Sequence, residues 1–320
     1  MSRSACPSSE PRPTTARHWT SPAPGAPIRP VSWPRSTWRA TWRAAAVPED
    51  KLASLPPLRE VIARHELAAR KALGQHFLLD GNLTDRIARA AGDLATGTTI
   101  EVGPGPGGLT RSLLRSGAAR VVAIERDRRA VAALADLAAA FPDRLEVREG
   151  DALEIDLAGL GEPPRRIVAN LPYNVATPLL IGWLRQARAF ESLTLMFQKE
   201  VVDRLAAKPR SKAYGRLSVL TQHVCEVTPL FDIAASAFVP PPKVVSSVVH
   251  LRPRPGVEDD LSRLEAVTAA AFGQRRKMLR SSLKRIIEVP EIVLEGLGLS
   301  PTARAEELTV GDFIRLARSI

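Results

Sequence analysis

The sequence predicts an α/β fold: a mostly parallel sheet with helices on both faces, followed by a small all-helical C-terminal domain. Three observations predict it. Short β-prone runs at 98–102, 120–124, 144–148 and 166–169 alternate with helical patterns, as right-handed βαβ units require. The first run leads straight into Gly103-Pro104-Gly105-Pro106-Gly107-Gly108, a glycine loop opening a helix near Leu109. After Leu251-Arg252-Pro253-Arg254-Pro255-Gly256 the strand patterns stop and only helical spacing continues. The expected organisation is therefore 1–50 as an extension, 51–255 as a Rossmann-like domain and 256–320 as a small helical domain.

Composition bounds the function. The 320-residue chain carries 45 Lys and Arg against 34 Asp and Glu, a formal charge of +11. Residues 1–50 hold seven Arg against Glu10, Glu49 and Asp50, which leaves 38 basic and 31 acidic residues for the rest. The body is basic in its own right, which suits a polyanionic partner. Cys6 and Cys225 are far apart, so neither a disulfide framework nor a cysteine metal site is expected, and a reducing, cytoplasmic setting is the default. His18, His65, His76, His223 and His250 show no metal-ligand spacing, and no metal is expected. No apolar run reaches the roughly 18 residues of a membrane span. A monomer that does not engage a membrane is the expectation.

Residues 1–50 differ in texture. Pro7, Pro11, Pro13, Pro22, Pro24, Pro27, Pro30 and Pro34 recur there beside Trp19, Trp33, Trp38 and Trp42. No helical or strand period survives, so the segment reads as disordered on its own. An Arg- and Ser-rich transit peptide fits the composition but not the proline density, and a secretory signal lacks its apolar core. The preferred reading is a stretch upstream of the functional start.

The glycine loop gains weight from the acids on either side of it. Glycines let backbone approach a ligand closely at φ values other residues avoid. The second run ends at Glu125, about 20 residues past the loop, where such folds place an acid on ribose hydroxyls. Glu101 precedes the first glycine and two prolines interrupt the loop, so a pyrophosphate cradle is a poor fit. An acid there suits a ligand with a cationic or amine-bearing group, a description that S-adenosylmethionine meets. Asp151, after the third run, is placed to accept from the cofactor's adenine amine; in isolation it reads equally as a turn or helix-cap Asp.

The fourth run ends in Asn170-Leu171-Pro172-Tyr173-Asn174. Asn170 falls at a strand's carboxyl end, where open α/β sheets bind ligands. Its side-chain carbonyl and a neighbouring backbone carbonyl can accept both hydrogens of an exocyclic amine, and Tyr173 offers a π face. Asn and Pro are also ordinary residues of a strand-ending turn.

Taken in order, these segments resemble the ribosomal RNA adenine dimethyltransferase family, and in particular its bacterial small-subunit (16S) members. The likeness covers about residues 58–320. It rests on Lys71-Ala-Leu-Gly-Gln-His-Phe-Leu-Leu-Asp80, Glu101-Val-Gly-Pro-Gly-Pro-Gly107, Asn170-Leu-Pro-Tyr-Asn174, Gln198-Lys-Glu200, Tyr214-Gly-Arg-Leu-Ser218, Phe238-Val-Pro-Pro-Pro-Lys243 and Phe272-Gly-Gln-Arg-Arg-Lys277. The resemblance implies an S-adenosylmethionine-dependent methyltransferase with cofactor contacts at His76, Leu78, Gly103, Glu125, Asp151 and Asn170. The family commonly has Asn where this chain has His76; His can still hydrogen-bond the cofactor carboxylate. It also implies a substrate: two adjacent adenosines in a hairpin loop near the 3′ end of 16S ribosomal RNA, each dimethylated at N6 within an immature 30S subunit.

Chemistry at N6 assigns further expectations. The N6 lone pair is delocalised into the ring, so carbonyls of Asn170 and Leu171, with Pro172 fixing the turn, would localise it and bind the charge that develops. A flipped base needs aromatic walls, for which Tyr173 and Phe238 are the candidates. RNA contacts are expected from Arg275, Arg276, Lys277, Arg280, Lys284 and Arg285, which no acid interrupts, on a helix whose apolar face is Phe272, Leu279, Leu283 and Ile286. Arg276, Arg280 and Lys284 would share one face of it. Lys208, Arg210, Lys212, Arg216 and Lys243 extend that surface, with Tyr214 either stacking or packing. The alternatives are a large-subunit RNA adenine methyltransferase of the resistance type, and a non-catalytic assembly or transcription factor on the same fold.

Overall fold

The computed structural model describes residues 49–67, 75–257 and 261–320. The reading of residues 1–48, and that of 71–74 in the Lys71–Asp80 motif, lie outside the described residues. Among the described residues the strands in chain order are β1 (Phe77–Leu78), β2 (Thr98–Val102), β3 (Val121–Glu125), β4 (Leu145–Glu149), β5 (Arg165–Asn170), β6 (Ser192–Gln198), β7 (Cys225–Ile233), β8 (Phe238–Val239) and β9 (Ser246–Pro253). Seven form one sheet in the order β4-β3-β2-β5-β6-β9-β7. Pairs from β4 through β6 are parallel, whereas β9 runs antiparallel between β6 and β7. Pro229, which cannot donate to a ladder, sits on β7, the edge strand.

The strands are apolar because both faces are covered. Val122 and Ile124 of β3, Ile167 and Ala169 of β5, and Leu193, Leu195 and Phe197 of β6 belong to one core. The intervening Val121, Ala123, Val168 and Met196 belong to another on the opposite face. Alternation along a strand thus feeds two helical layers, the arrangement a parallel sheet needs. Truncating a fully buried residue such as Ile124 to Ala should cost roughly 2–5 kcal/mol.

A third core joins the C-terminal helices to what precedes them. Val267, Leu279, Leu283, Phe313 and Leu316 pack with Tyr214, Val219 and Leu220, the last two from the helix Arg216–Val224. Tyr214 is wholly buried, edge-on to Phe272 at 6.0 Å, and Phe272 stacks on Phe313 at 5.4 Å. Tyr214 therefore packs and does not offer a stacking face.

The expected continuous basic helix is corrected. Helix Ser262–Gly273 ends, and a short helix, Leu279–Ser282, starts only after Met278 in extended conformation. The segment between begins as a turn, closed by the Lys277 N–H on the Gln274 carbonyl; Met278 then bridges Arg304, and at the start of the next helix Leu279 N–H donates to Ala303 and Arg280 N–H to Pro301. Leu279 and Leu283 are buried, but Ile286 is 37% exposed and Ile287 takes the inward position instead. Arg276, Arg280 and Lys284 are all exposed, but not along a single helical face.

Candidate active site

The sheet reverses direction of growth at β2, with β3 on one side and β5 on the other, and loops leaving β2 and β5 part to open a crevice. Register puts the key residues at one level: Val102 is opposite Ile124, Glu125 opposite Glu149, and Asn170 ends β5. The crevice is lined by His76, Leu78, Glu101, Gly103, Glu125, Asp151, Asn170, Leu171, Pro172 and Tyr173. Every cofactor contact expected from the sequence lines it.

The glycine loop is held by contacts within the protein. Gly103 has φ +72°, and a Cβ there would lie 3.8 Å from the Asn170 carbonyl and the Pro172 ring, so the two loops come close at this point. At Gly107, φ +91°, a Cβ would meet Leu134 at 2.8 Å. Gly105 N–H donates to Glu125 Oε2 at 3.0 Å, while the N–H groups of Arg126 and Asp127 donate to Oε1 at 2.8 Å each. Burial pushes the Glu125 carboxyl up; those backbone donors pull it back, and the Asp127 charge adds to the rise. Asp151 Oδ1 accepts from Leu153 N–H at 3.0 Å, and its Oδ2 lies 3.2 Å from the exposed Arg126 guanidinium.

Glu101 stands out in the sequence only as the acidic start of a motif, yet the fold gives it an unusual setting. It is 1% exposed, between Ala123 and Val168 on the neighbouring strands. Burial drives its pKa up to about 8, opposed by the nearby Thr110 hydroxyl and reinforced by Glu125. Among the described residues neither its Oε2 nor that hydroxyl has a hydrogen-bond partner of normal geometry. A buried carboxyl oxygen with no partner, facing a crevice, is a feature that a bound cationic group resolves.

The two aromatic candidates part company. Tyr173 opens the helix Tyr173–Leu184, lines the crevice, and its phenol lies 2.6 Å from Ser246 Oγ. Burial raises the Tyr173 pKa against the pull of Ser246, so it is a neutral phenol at physiological pH. The expectation for Phe238 is corrected: it is 2% exposed, lies opposite Leu78 in the β1–β8 pair, and packs in the core with Ile233 and Val248. Its ring is taken up by that core packing and is not among the crevice-lining side chains. His76 sits over Tyr173, ring centroids 5.7 Å apart, and its Nδ1 donates to the Pro240 carbonyl at 2.8 Å.

The basic candidates also divide. Arg275 is bound to Glu306 at 2.9 Å and to the Ser211 carbonyl, and Arg216 lies 3.9 Å from Glu265, which Arg185 already grips. Arg276, Lys277, Arg280, Lys284, Lys212 and Lys243 are exposed, with no ion pair among the described residues. Those six keep their charge available.

This is the layout of a Rossmann-like methyltransferase. Within that class the chain belongs to the ribosomal RNA adenine dimethylase family, whose model matches residues 66–320. It is 63% identical over 279 residues, 87% of this chain and 96% of the relative, to the ribosomal RNA small subunit methyltransferase A of Rhodospirillum rubrum. To that of Paramagnetospirillum magneticum it is 64% identical over 271 residues, covering 84% and 96%. Among solved structures it resembles a dimethyladenosine transferase from Plasmodium falciparum, with TM-score 0.65, 28% identity, and coverage of 75% of this chain and 96% of that one. The 23S rRNA methyltransferase ErmE is similar at TM-score 0.57 and 27% identity, covering 76% and 98%.

Proposed function

We propose that the protein transfers methyl groups from S-adenosylmethionine to N6 of two adjacent adenosines in the hairpin loop near the 3′ end of 16S ribosomal RNA, within an immature small subunit. The observation that carries this reading is the meeting of Glu101, Glu125, Asp151 and Asn170-Leu171-Pro172-Tyr173 on one crevice. The names of its relatives support the choice of RNA.

The residues present fit the cofactor. The unpartnered Glu101 Oε2 suits its cationic amino acid end, Glu125 its ribose hydroxyls, and Asp151 its adenine amine, while Gly103 leaves room at the closest approach of the loops. When bound, S-adenosylmethionine supplies a methyl group already activated by a sulfonium. The protein's own task is then positioning. Asn170 Oδ1 and the Leu171 carbonyl accept the hydrogens of N6, localise its lone pair and stabilise the positive charge that develops there. Tyr173 gives the flipped base a face to stack on, offsetting the few kcal/mol of unstacking.

In this reading residues 51–255 are the catalytic part and 256–320 the helical RNA-binding part. Arg276, Lys277, Arg280, Lys284, Lys212 and Lys243 meet phosphates, which position the RNA and do not specify it. The protein works in the cytoplasm as a monomer.

The test is transfer of label from methyl-labelled S-adenosylmethionine to 30S particles lacking the modification, with dimethyladenosine recovered after digestion. Labelling of large-subunit RNA alone would replace this reading with that of a resistance-type enzyme. No labelling of any RNA would leave a binding protein.

A further inference from the structure

Ser246 is the first residue of β9 and lies opposite Gln198 of β6 and Ile233 of β7, so its backbone is fixed on both sides. It is fully buried. Its hydroxyl is 2.6 Å from the Tyr173 phenol, a short O–H···O contact, and among the described residues it has no other hydrogen-bond partner. Tyr173 is equally fixed at its backbone end, since it begins a 12-residue helix directly after Pro172. Tyr173 lines the crevice.

The same stretch of chain touches the ring a second time. Pro240, just upstream of β9, holds His76 through its carbonyl; a carbonyl only accepts, so His76 Nδ1 carries the proton. His76 is thereby kept beside Tyr173, their planes 30° apart. Between Pro240 and Ser246 lie the exposed Lys243, Val244 and Val245.

We propose that Ser246 is a positioning residue that sets the Tyr173 ring as the wall for the target base, with His76 held by Pro240 as its side support. The segment from Pro240 to Ser246 thus ties the exposed Lys243 to the wall of the crevice. The inference rests on the reading of Tyr173 as the stacking face.

The chain has two tyrosines, so full-length protein labelled with 13Cζ-tyrosine gives two resolvable signals, assigned with Y173F. S246A is expected to move the Tyr173 signal and leave that of Tyr214 in place. With immature 30S particles, S246A and Y173F should each lower kcat about five- to tenfold, the scale of one hydrogen bond, without changing KM for S-adenosylmethionine. The double variant S246A/Y173F should be no worse than either single, because both remove the same contact. If Y173A lowers kcat while S246A and Y173F match wild type, the inference is overturned and the stacking role stands. Wild-type kcat in Y173A would overturn the stacking role itself. Y173F keeps the test decisive should S246A fold poorly, since it deletes the contact from the partly exposed side.

Discussion

Glu125 Oε2 accepts the Gly105 backbone N–H at 3.0 Å, so the acid ending β3 holds the glycine loop that leaves β2. Two further backbone donors on Oε1 complete its hold on the backbone. Of the roughly four lone-pair sites of a carboxylate, three are thus taken, which leaves about one, on Oε2, for the ribose hydroxyl of the proposed cofactor.

Glu125→Gln loses the charge and has one oxygen for three backbone donors, so an oxygen turned to Gly105 sets its NH2 against the N–H groups of Arg126 and Asp127. Hydrogen bonds to charged groups contribute about 1.5–3 kcal/mol, so cofactor Kd should rise roughly ten- to hundredfold. Titration calorimetry with S-adenosylmethionine measures it, and an unchanged Kd would remove Glu125 from the ribose site.

Glu101 makes the unliganded protein sensitive to pH. Its folded pKa of about 8 stands above the ordinary 4.5. The stability this group contributes is therefore fully present below pH 4.5 and lost as pH rises through 8, up to about 5 kcal/mol in all. Denaturant unfolding should show that slope in wild type and a flatter one in E101Q. Parallel profiles would mean that the carboxyl is ionised in the folded state.

A cationic ligand beside Glu101 should drive it to ionise. Calorimetry at pH 7 in buffers of different ionisation enthalpy is expected to show release approaching one proton per cofactor bound, and none in E101Q. Equal release by both would assign the proton elsewhere.

Neutralising Arg276, Arg280 and Lys284 together should weaken RNA binding and lower the slope of log K against log salt by about 2, at roughly 0.7 per single-strand phosphate contact. Arg275→Ala should leave that slope in place, because Glu306 already neutralises Arg275. An unchanged slope in the triple variant would refute the phosphate surface.

Most of the sheet is legible in the sequence because it is locally encoded. The run 98–102 is β2 to the residue, and Asn170 closes β5 as expected, since a buried parallel strand writes itself as an apolar run bounded by its turn. Phe238 is not legible in this way. Its burial depends on a core assembled from distant segments, among them Ile87, Leu109 and Val248, which no local pattern records. Nor is the delay before the next helix legible, since Met278 bridges the distant Arg304 after the turn that follows Gly273. Ser246 carries only a weak signal, a pair of hydroxyl residues at the start of an apolar strand. Glu101 stands in plain view, but its lack of a partner belongs to the fold and not to the motif.

Asn170 is the acceptor that prepares the adenine amine in the proposed reaction, and every later step depends on it. The measurement is methyl transfer to immature 30S particles by Asn170→Ala, run beside its RNA affinity and thermal unfolding. Transfer should fall by about 100-fold or more, the scale for removing one preorganised group that stabilises developing charge, with affinity and unfolding close to wild type. Transfer at the wild-type rate would contradict that role, and loss of transfer, binding and stability together would make Asn170 a folding residue instead.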